Sequence, residues 1–183
     1  GVGANASESV NQTGGVLDGN VSGLTLPVRT RSANGLSVDG RMRASGGCIL
    51  LLTGNGGGAF VNHNVIEALD GSQVQLTSGA TIVGGTLLTV GTGTIQTLDS
   101  ATLNGLTNGG TFIGLNNTTT TLIGTIVNSG SISLNSTANL TDLSLTGDVT
   151  LSGGGTIHLT NLARLLGRGI LPTDNPTRGE TNT

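Results

Sequence analysis

Residues 131–161 read SISLNSTANLTDLSLTGDVTLSGGGTIHLTN. In SISLNS, LTDLSLTG, DVTLSG and TIHLTN, an Ile, Leu or Val alternates with Ser, Thr, Asp or His. A period of two places the aliphatic side chains on one side of an extended chain and the polar ones on the other. Between these words lie Gly and Asn clusters, residues that accept the φ > 0 conformations a tight corner demands. The stretch is therefore a series of short, one-sided strands joined by tight corners.

Outward from it, one word recurs: Gly, a small or polar residue, then an aliphatic or aromatic one. It ends at Leu87, Ile95, Phe112, Ile126, Ile132, Val149 and Ile157. The steps between these residues are irregular, but they combine into intervals of 25 (Leu87 to Phe112), 20 (Phe112 to Ile132) and 25 (Ile132 to Ile157). Intervals of this size point to stacked repeats. A constant word at variable steps suits coils whose strands are fixed while their turns vary.

Hairpin sheets of such short strands need aromatic cross-strand pairs or a second packed sheet. This chain of 183 residues has two Phe and no Trp or Tyr. A solenoid needs only small aliphatics stacked coil upon coil, and Leu, Ile, Val and Ala are plentiful. Gly (33) and Thr (29) are abundant and Lys is absent, a composition poor for helices and suited to pleated sheets. The expected fold is all-β, a parallel β-helix of degenerate coils of about 20–25 residues, with about four or five coils over 60–160 and about seven in all.

Three zones differ in texture. Residues 1–59 are loosely patterned β coils, with words such as GGVLDG, VSGLTLPV and GLSVDGRMRA; residues 60–160 are the regular repeats. Residues 161–183, NLARLLGRGILPTDNPTRGETNT, read as a short helix followed by an irregular tail that frays from about Pro172. The opening at Gly1, with the sole Met at position 42, reads as a cut from something longer.

Charge narrows the function classes. Arg29, Arg31, Arg41 and Arg43 lie near the start and Arg164, Arg168 and Arg178 near the end; none lies between Ala44 and Ala163. That middle lacks the clustered cations a phosphate backbone or an anionic membrane requires. Cys48 stands alone, so neither an internal disulfide nor a cysteine zinc cluster is available. The longest apolar run, CILLL at 48–52, is too short to span a bilayer.

NGGTFIG at 108–114, the stretch from Leu122 to Asn161, and NVIEALDGSQVQLTSGATIVGGTLLTVGTGTIQT at 64–97 resemble the β-strand repeats of bacterial secreted proteins. These are the autotransporter passengers and filamentous-haemagglutinin-like adhesins. The resemblance covers 60–160, extends to 1–59 in texture only, and leaves out the tail. It implies a right-handed parallel β-helix, export to the bacterial cell surface, and adhesion or display. It carries over no catalytic, cofactor-binding or metal-binding residue.

The residues of chemically capable type each have a plainer explanation. His63 and His158 are nearly a hundred residues apart, and alternation turns His158 to solvent opposite Ile157 and Leu159. Asp142 and Asp148 deserve weighing because β-helix polysaccharide hydrolases and lyases use carboxylates on neighbouring strands, about 5–9.5 Å apart for glycosidic cleavage. Turn chemistry is the leading reading of both. GNGGGAF at 54–60 lacks the Lys and Ser/Thr of a phosphate loop and reads as a corner. The threonine run NNTTTTL at 116–122 and TGT at 92–94 raise ice binding, which requires outward Thr-x-Thr in register on every coil. Asn-x-Ser/Thr sequons begin at Asn5, Asn11, Asn20, Asn116, Asn117, Asn135 and Asn139, and matter only in a host that glycosylates.

The leading expectation is a non-catalytic structural or adhesive segment without cofactor, partnered by neighbouring coils of a longer parent chain and by surface glycans or proteins. A carbohydrate-active enzyme or glycan-binding module is the alternative, and an ice-binding solenoid a minor one.

Overall fold

The computed structural model describes residues 10–30 and 33–167, and over them the chain is a right-handed parallel β-solenoid. Each complete coil carries three strands. The first has β1 (Val10–Asn11), β2 (Val16–Gly19) and β3 (Thr25–Arg29). The second has β4 (Leu36–Val38), β5 (Arg41–Ala44) and β6 (Ile49–Thr53), and the third β7 (Phe60–Asn62), β8 (Val65–Ala68) and β9 (Gln73–Thr77). The fourth has β10 (Ala80–Val83), β11 (Thr86–Thr89) and β12 (Thr94–Thr97), and the fifth β13 (Ser100–Asn104), β14 (Thr107–Asn108) and β15 (Thr111–Gly114). In the sixth and seventh, one long strand turns a corner unbroken: β16 (Thr119–Asn128) before β17 (Ser131–Leu134), and β18 (Thr141–Ser152) before β19 (Thr156–Leu159). β20 (Ala163–Gly167) begins an eighth.

Every strand pairs in parallel with its counterparts in the adjacent coils, which generates three faces. The third face shows the register most simply, through the inward column Leu26, Leu50, Val74, Ile95, Phe112, Ile132 and Ile157. On the first face the column is Leu36, Phe60, Ile82, Leu103, Leu122 and Leu145. On the second it is Leu17, Met42, Ile66, Leu87 and then Asn108 and Asn128. Leu50, Val74, Ile95, Phe112 and Ile132 are completely buried, as are Phe60, Ile82, Leu103 and Leu122. Both phenylalanines thus serve the core, and the fold rests on stacked aliphatics. At about 4.8 Å per coil the seven complete coils rise roughly 30 Å.

The recurring Gly-x-apolar word is a corner. Gly93, Gly110, Gly130 and Gly155 precede the third-face strands, and the backbone of the coil before lies against them: a Cβ on Gly130 would sit 2.1 Å from the carbonyl oxygen of Gly110. The words ending at Leu87, Ile126 and Val149 mark the other corner, where the chain enters the second face. The irregular steps are these two series interleaved. The intervals Phe112 to Ile132 and Ile132 to Ile157 are true coil steps. The interval from Leu87 to Phe112 is not: Leu87 stacks on Asn108 and Phe112 on Ile95.

The regular region 60–160 contains five coils, and the sheets continue through residue 60 without a break, β4, β5 and β6 pairing with β7, β8 and β9. The short helix expected after Asn161 is absent from the described residues. Ala163–Gly167 is instead strand β20, which pairs with Thr141–Leu145 of β18. The helix-compatible word ARLL meets a ready-made parallel strand edge, and ladder bonds to it replace the intrahelical ones that so short a helix forms poorly. The rest of the tail, including the fraying expected from Pro172, lies outside the described residues.

Candidate functional site

Charge is concentrated on the outside of the first three coils. Asp18 on β2, Arg43 on β5 and Glu67 on β8 lie in register on the second face, a column of alternating sign. Arg43 Nη2 donates to Asp18 Oδ2 at 2.8 Å, and Ser45 Oγ donates to Asp18 Oδ1 at 2.8 Å. Arg41, two residues before Arg43 and so on the same outward side, donates from Nη1 to both oxygens of Glu67 at 3.0 and 3.2 Å. The side chain of Glu67 is only 3% exposed, whereas that of Arg41 is 45% exposed. Burial pushes the Asp18 carboxyl up, but the hydrogen bonds from Arg43 and Ser45 and the charge of Arg43 outweigh it and hold the group below its usual range. The same hydrogen bond to Asp18 raises Arg43, against burial. The Nε of Arg43 is buried without a partner.

Beside this column, at the corner between the first and second faces, Asp39 follows β4 and His63 follows β7. His63 Nδ1 and Asp39 Oδ1 are 2.6 Å apart, and Ser37 Oγ donates to the same oxygen at 3.1 Å. The backbone holds the two turns together: His63 N–H donates to the Val38 carbonyl at 2.9 Å, and the Asn64 side chain to the Asp39 carbonyl at 3.2 Å. The His63 side chain is 59% exposed. Asp18, Arg43, Glu67 and Arg41 form one charged column and Asp39–His63 a separate pair beside it; Glu67 is the most buried of the six groups, and Arg41 and His63 are the most exposed.

The residues singled out from sequence lie elsewhere and apart. Asp142 and Asp148 share β18, but Asp142 is an outward residue at the start of that strand, not a turn residue. It receives Arg164 Nε and Nη2 at 2.7 and 2.8 Å, an ion pair that raises Arg164 above its usual value. Strand pairing with β20 decides its role, because Asp142 and Arg164 are register partners. Asp148 is exposed in the two-residue register shift opposite Ile123 and Gly124. His158 lies outward on β19 beside Ser133, four coils from His63. Among the described residues no three of His, Cys, Asp and Glu come together as a metal would need. Cys48 is buried, with its Sγ 3.2 Å from the Leu24 carbonyl.

The polar repeats serve the coil stack. In the threonine run, Thr118 and Thr120 point inward, and Thr120 Oγ1 lies 3.0 Å from Thr97 Oγ1. Thr121 continues an outward column with Thr81, Thr102 and Ser144. Thr92 of TGT is turned instead to Asp70, whose carboxyl its backbone and side-chain hydrogen bonds lower. The sequon asparagine Asn116 accepts the N–H groups of Thr137, Ala138 and Asn139 at 2.9–3.0 Å, which clamps the next coil's loop. Asn5 lies outside the described residues. A shallow depression of about 290 Å³ lined by Ser144, Leu145, Thr146, Gly147, Leu166 and Gly167 holds no titratable side chain.

The residues missed from sequence, Asp18, Asp39, Arg41, Arg43 and Glu67, carry one periodic signal. Asp18 to Arg43 is 25 residues, Arg43 to Glu67 is 24, and Asp39 to His63 is 24, each one coil. No helix among the described residues is long and apolar enough to cross a membrane. No family model, curated protein or solved structure matches the chain.

Proposed function

We propose that this chain is a non-catalytic segment of a stalk or adhesin, part of a large bacterial repeat protein displayed at the cell surface in the manner of autotransporter passengers and haemagglutinin-like adhesins. The observation that carries the proposal is the continuous three-faced stack with an exterior of hydroxyl and amide columns, in which each of Arg41, Arg43 and Arg164 is tied to a carboxylate. A stiff, sparsely charged rod suits reach and many weak contacts better than one deep binding site. Neighbouring coils of a longer chain are the natural partners of the last described coil. Leu151 and Leu159 of the seventh coil and Leu165 of β20 are 38–48% exposed, while Ile126, Leu134 and Leu143, their register partners one coil earlier, are buried.

The geometry of Asp142 and Asp148 does not favour the hydrolase alternative, since the first is engaged by Arg164 and the second has no ion-pair partner among the described residues. Beads coated with the protein should adhere to glycan or cell surfaces far better than the free protein does. Failure of the coated beads to adhere, or cleavage of any glycan in a broad panel, would overturn the proposal.

A further inference from the structure

We infer that the Asn55–Gly56 corner is a site of self-modification, at which Asn55 loses its side-chain amide and becomes aspartate or isoaspartate. The reaction needs only water and the chain itself, so it goes beyond the adhesive reading and does not rest on it.

The step is an internal substitution. The Gly56 backbone nitrogen gives up its proton and attacks Cγ of Asn55; a C–N bond forms and ammonia leaves. The cyclic imide then takes up water at either of its carbonyls. Breaking one C–N bond leaves aspartate, and breaking the other leaves isoaspartate, whose main chain runs through Cβ and Cγ. The attacking N–H must be free of a carbonyl acceptor, and the residue after the asparagine must let the ring close, which the conformational freedom of glycine favours.

The sequence has four Asn–Gly pairs, at 34–35, 55–56, 104–105 and 108–109. Asn104 and Asn108 fail the first condition. The Gly105 N–H donates to the Ile123 carbonyl at 3.0 Å, and the Gly109 N–H to the Leu87 carbonyl at 2.8 Å. Asn108 is also fully buried, its Nδ2 shared among the Gly110 and Ser131 carbonyls and Asn128 Oδ1. At Asn34–Gly35 the backbone is pressed against the next coil. A Cβ on Gly35 would lie 2.2 Å from the Ala59 carbonyl oxygen, and the Leu36 N–H is tied to that same oxygen at 2.8 Å.

Asn55 meets both conditions. It is exposed at the tip of the turn that carries the chain from β6 to β7, which is closed by the Gly57 N–H donating to the Gly54 carbonyl at 2.9 Å. Among the described residues nothing accepts the Gly56 N–H. Elsewhere along this edge the corners are clamped from a neighbouring coil. Asp99 holds the Ser78 N–H, Thr141 Oγ1 that of Asn117, and Asn116 Oδ1 those of Thr137, Ala138 and Asn139. Beneath the free tip the base is fixed, because the Gly54 N–H donates to the Thr77 carbonyl at 3.2 Å and Phe60 is buried. The new carboxylate and the longer main chain therefore fall on the exposed tip and leave the stack intact.

The test is hydroxylamine, which opens the imide and cuts the chain after the asparagine, applied to the folded full chain at mildly alkaline pH. The expected products are fragments 1–55 and 56–183. Cleavage at Asn104 and Asn108 should be at least about tenfold slower, the factor that one retained backbone hydrogen bond imposes. In guanidinium all four pairs should be cut at similar rates, because the fold sets the order. Asn55→Gln, whose side chain would have to close a larger ring, should stay whole under native conditions. Peptide mapping of the parent after long incubation without hydroxylamine should find aspartate and isoaspartate at position 55, with the thermal midpoint unchanged. Native cleavage at Asn34, Asn104 or Asn108 as fast as at Asn55 would overturn the inference. So would an uncut Asn55 in the folded chain when the unfolded chain is cut there, or a lowered midpoint in the aged protein.

Discussion

Arg41 reaches across one coil to place a single nitrogen, Nη1, against both carboxylate oxygens of Glu67, at 3.0 and 3.2 Å. Between them the pair joins β5 to β8 on the outside of the solenoid, and Arg43 of β5 ties the same strand back to Asp18 of β2. The first three coils are thus cross-braced by charge, while on the same face the later coils present Thr86, Leu88, Thr107 and Thr125.

Removing Arg41 alone leaves a carboxylate that is 3% exposed without its hydrogen-bonded partner, with only Arg43, already tied to Asp18, beside it. The full penalty for breaking a buried pair is discounted because Arg41 is half exposed, so Arg41→Ala should cost about 2 kcal/mol. Arg41→Gln/Glu67→Gln should recover most of that. Coils in a solenoid depend chiefly on their neighbours, so hydrogen exchange in Arg41→Ala should quicken in β2, β5 and β8 and stay near the parent's in β15, β17 and β19. Uniform quickening along the stack would contradict the local account.

Gly130 and Gly105 separate the two reasons for a corner glycine. Gly130 has a neighbouring carbonyl oxygen 2.1 Å from where a Cβ would stand, and Gly105 has φ +58 with nothing within 4 Å. Gly130→Ala must push two coils apart and should cost about 3 kcal/mol or more. Gly105→Ala pays only for the left-handed backbone, about 1 kcal/mol. Urea melts of the two variants check the order, and equal costs would refute the close-approach reading of the corner.

The corners explain how far the sequence could be read. Alternation and the Gly-x-apolar word suffice for parallel coils, because inward aliphatics and corner glycines are local requirements. They do not reveal which corner a given word marks, so Leu87 and Phe112 look like coil neighbours although they lie on different faces. The charged network escaped for a related reason. Asp18, Arg43 and Glu67 stand one coil apart, but a single charge at each site becomes meaningful only once coil lengths are known, and third-face register partners range from 17 apart (Ile95 and Phe112) to 25 apart (Ile132 and Ile157). The word ARLL after Asn161 misled in the other direction. Local propensity favours a helix there, and the exposed edge of β18 decides otherwise.

Asn108 and Asn128 occupy second-face positions that Met42, Ile66 and Leu87 fill in earlier coils. Asn108 Nδ2 donates to Asn128 Oδ1 at 2.8 Å, and Asn128 Nδ2 to the Thr156 carbonyl at 3.1 Å. Both side chains are buried, so Asn108→Ala strands an acceptor on Asn128 as well as opening a gap. The expected loss is about 1–3 kcal/mol. Asn108→Leu, which restores the aliphatic of the earlier coils, should not rescue stability: it relieves Asn108 Oδ1, which is buried without a partner, but removes the donor shared by Asn128 Oδ1 and the Gly110 and Ser131 carbonyls. A stabilised Asn108→Leu variant in thermal melts would show that packing, not hydrogen bonding, governs this corner.

The sign of the acid response follows from Asp18. Its carboxyl is held below the ordinary value of 3.8 in the folded chain, so the folded state favours the ionised form. That contribution to stability is fully present above 3.8 and is lost as pH falls through the lower folded value. Asp70, lowered by its bonds from Thr92, acts with the same sign from another part of the stack, so the parent's acid response sums at least these two. Comparison with Asp18→Asn isolates one of them. The variant should be less stable than the parent at pH 6, and the gap should narrow steadily as the pH is taken from about 4 toward 2. Urea midpoints measured across that range decide it. A gap that stays constant through the acid limb would mean that Asp18 contributes through packing and neutral hydrogen bonds, and that its ionisation does not brace the first two coils.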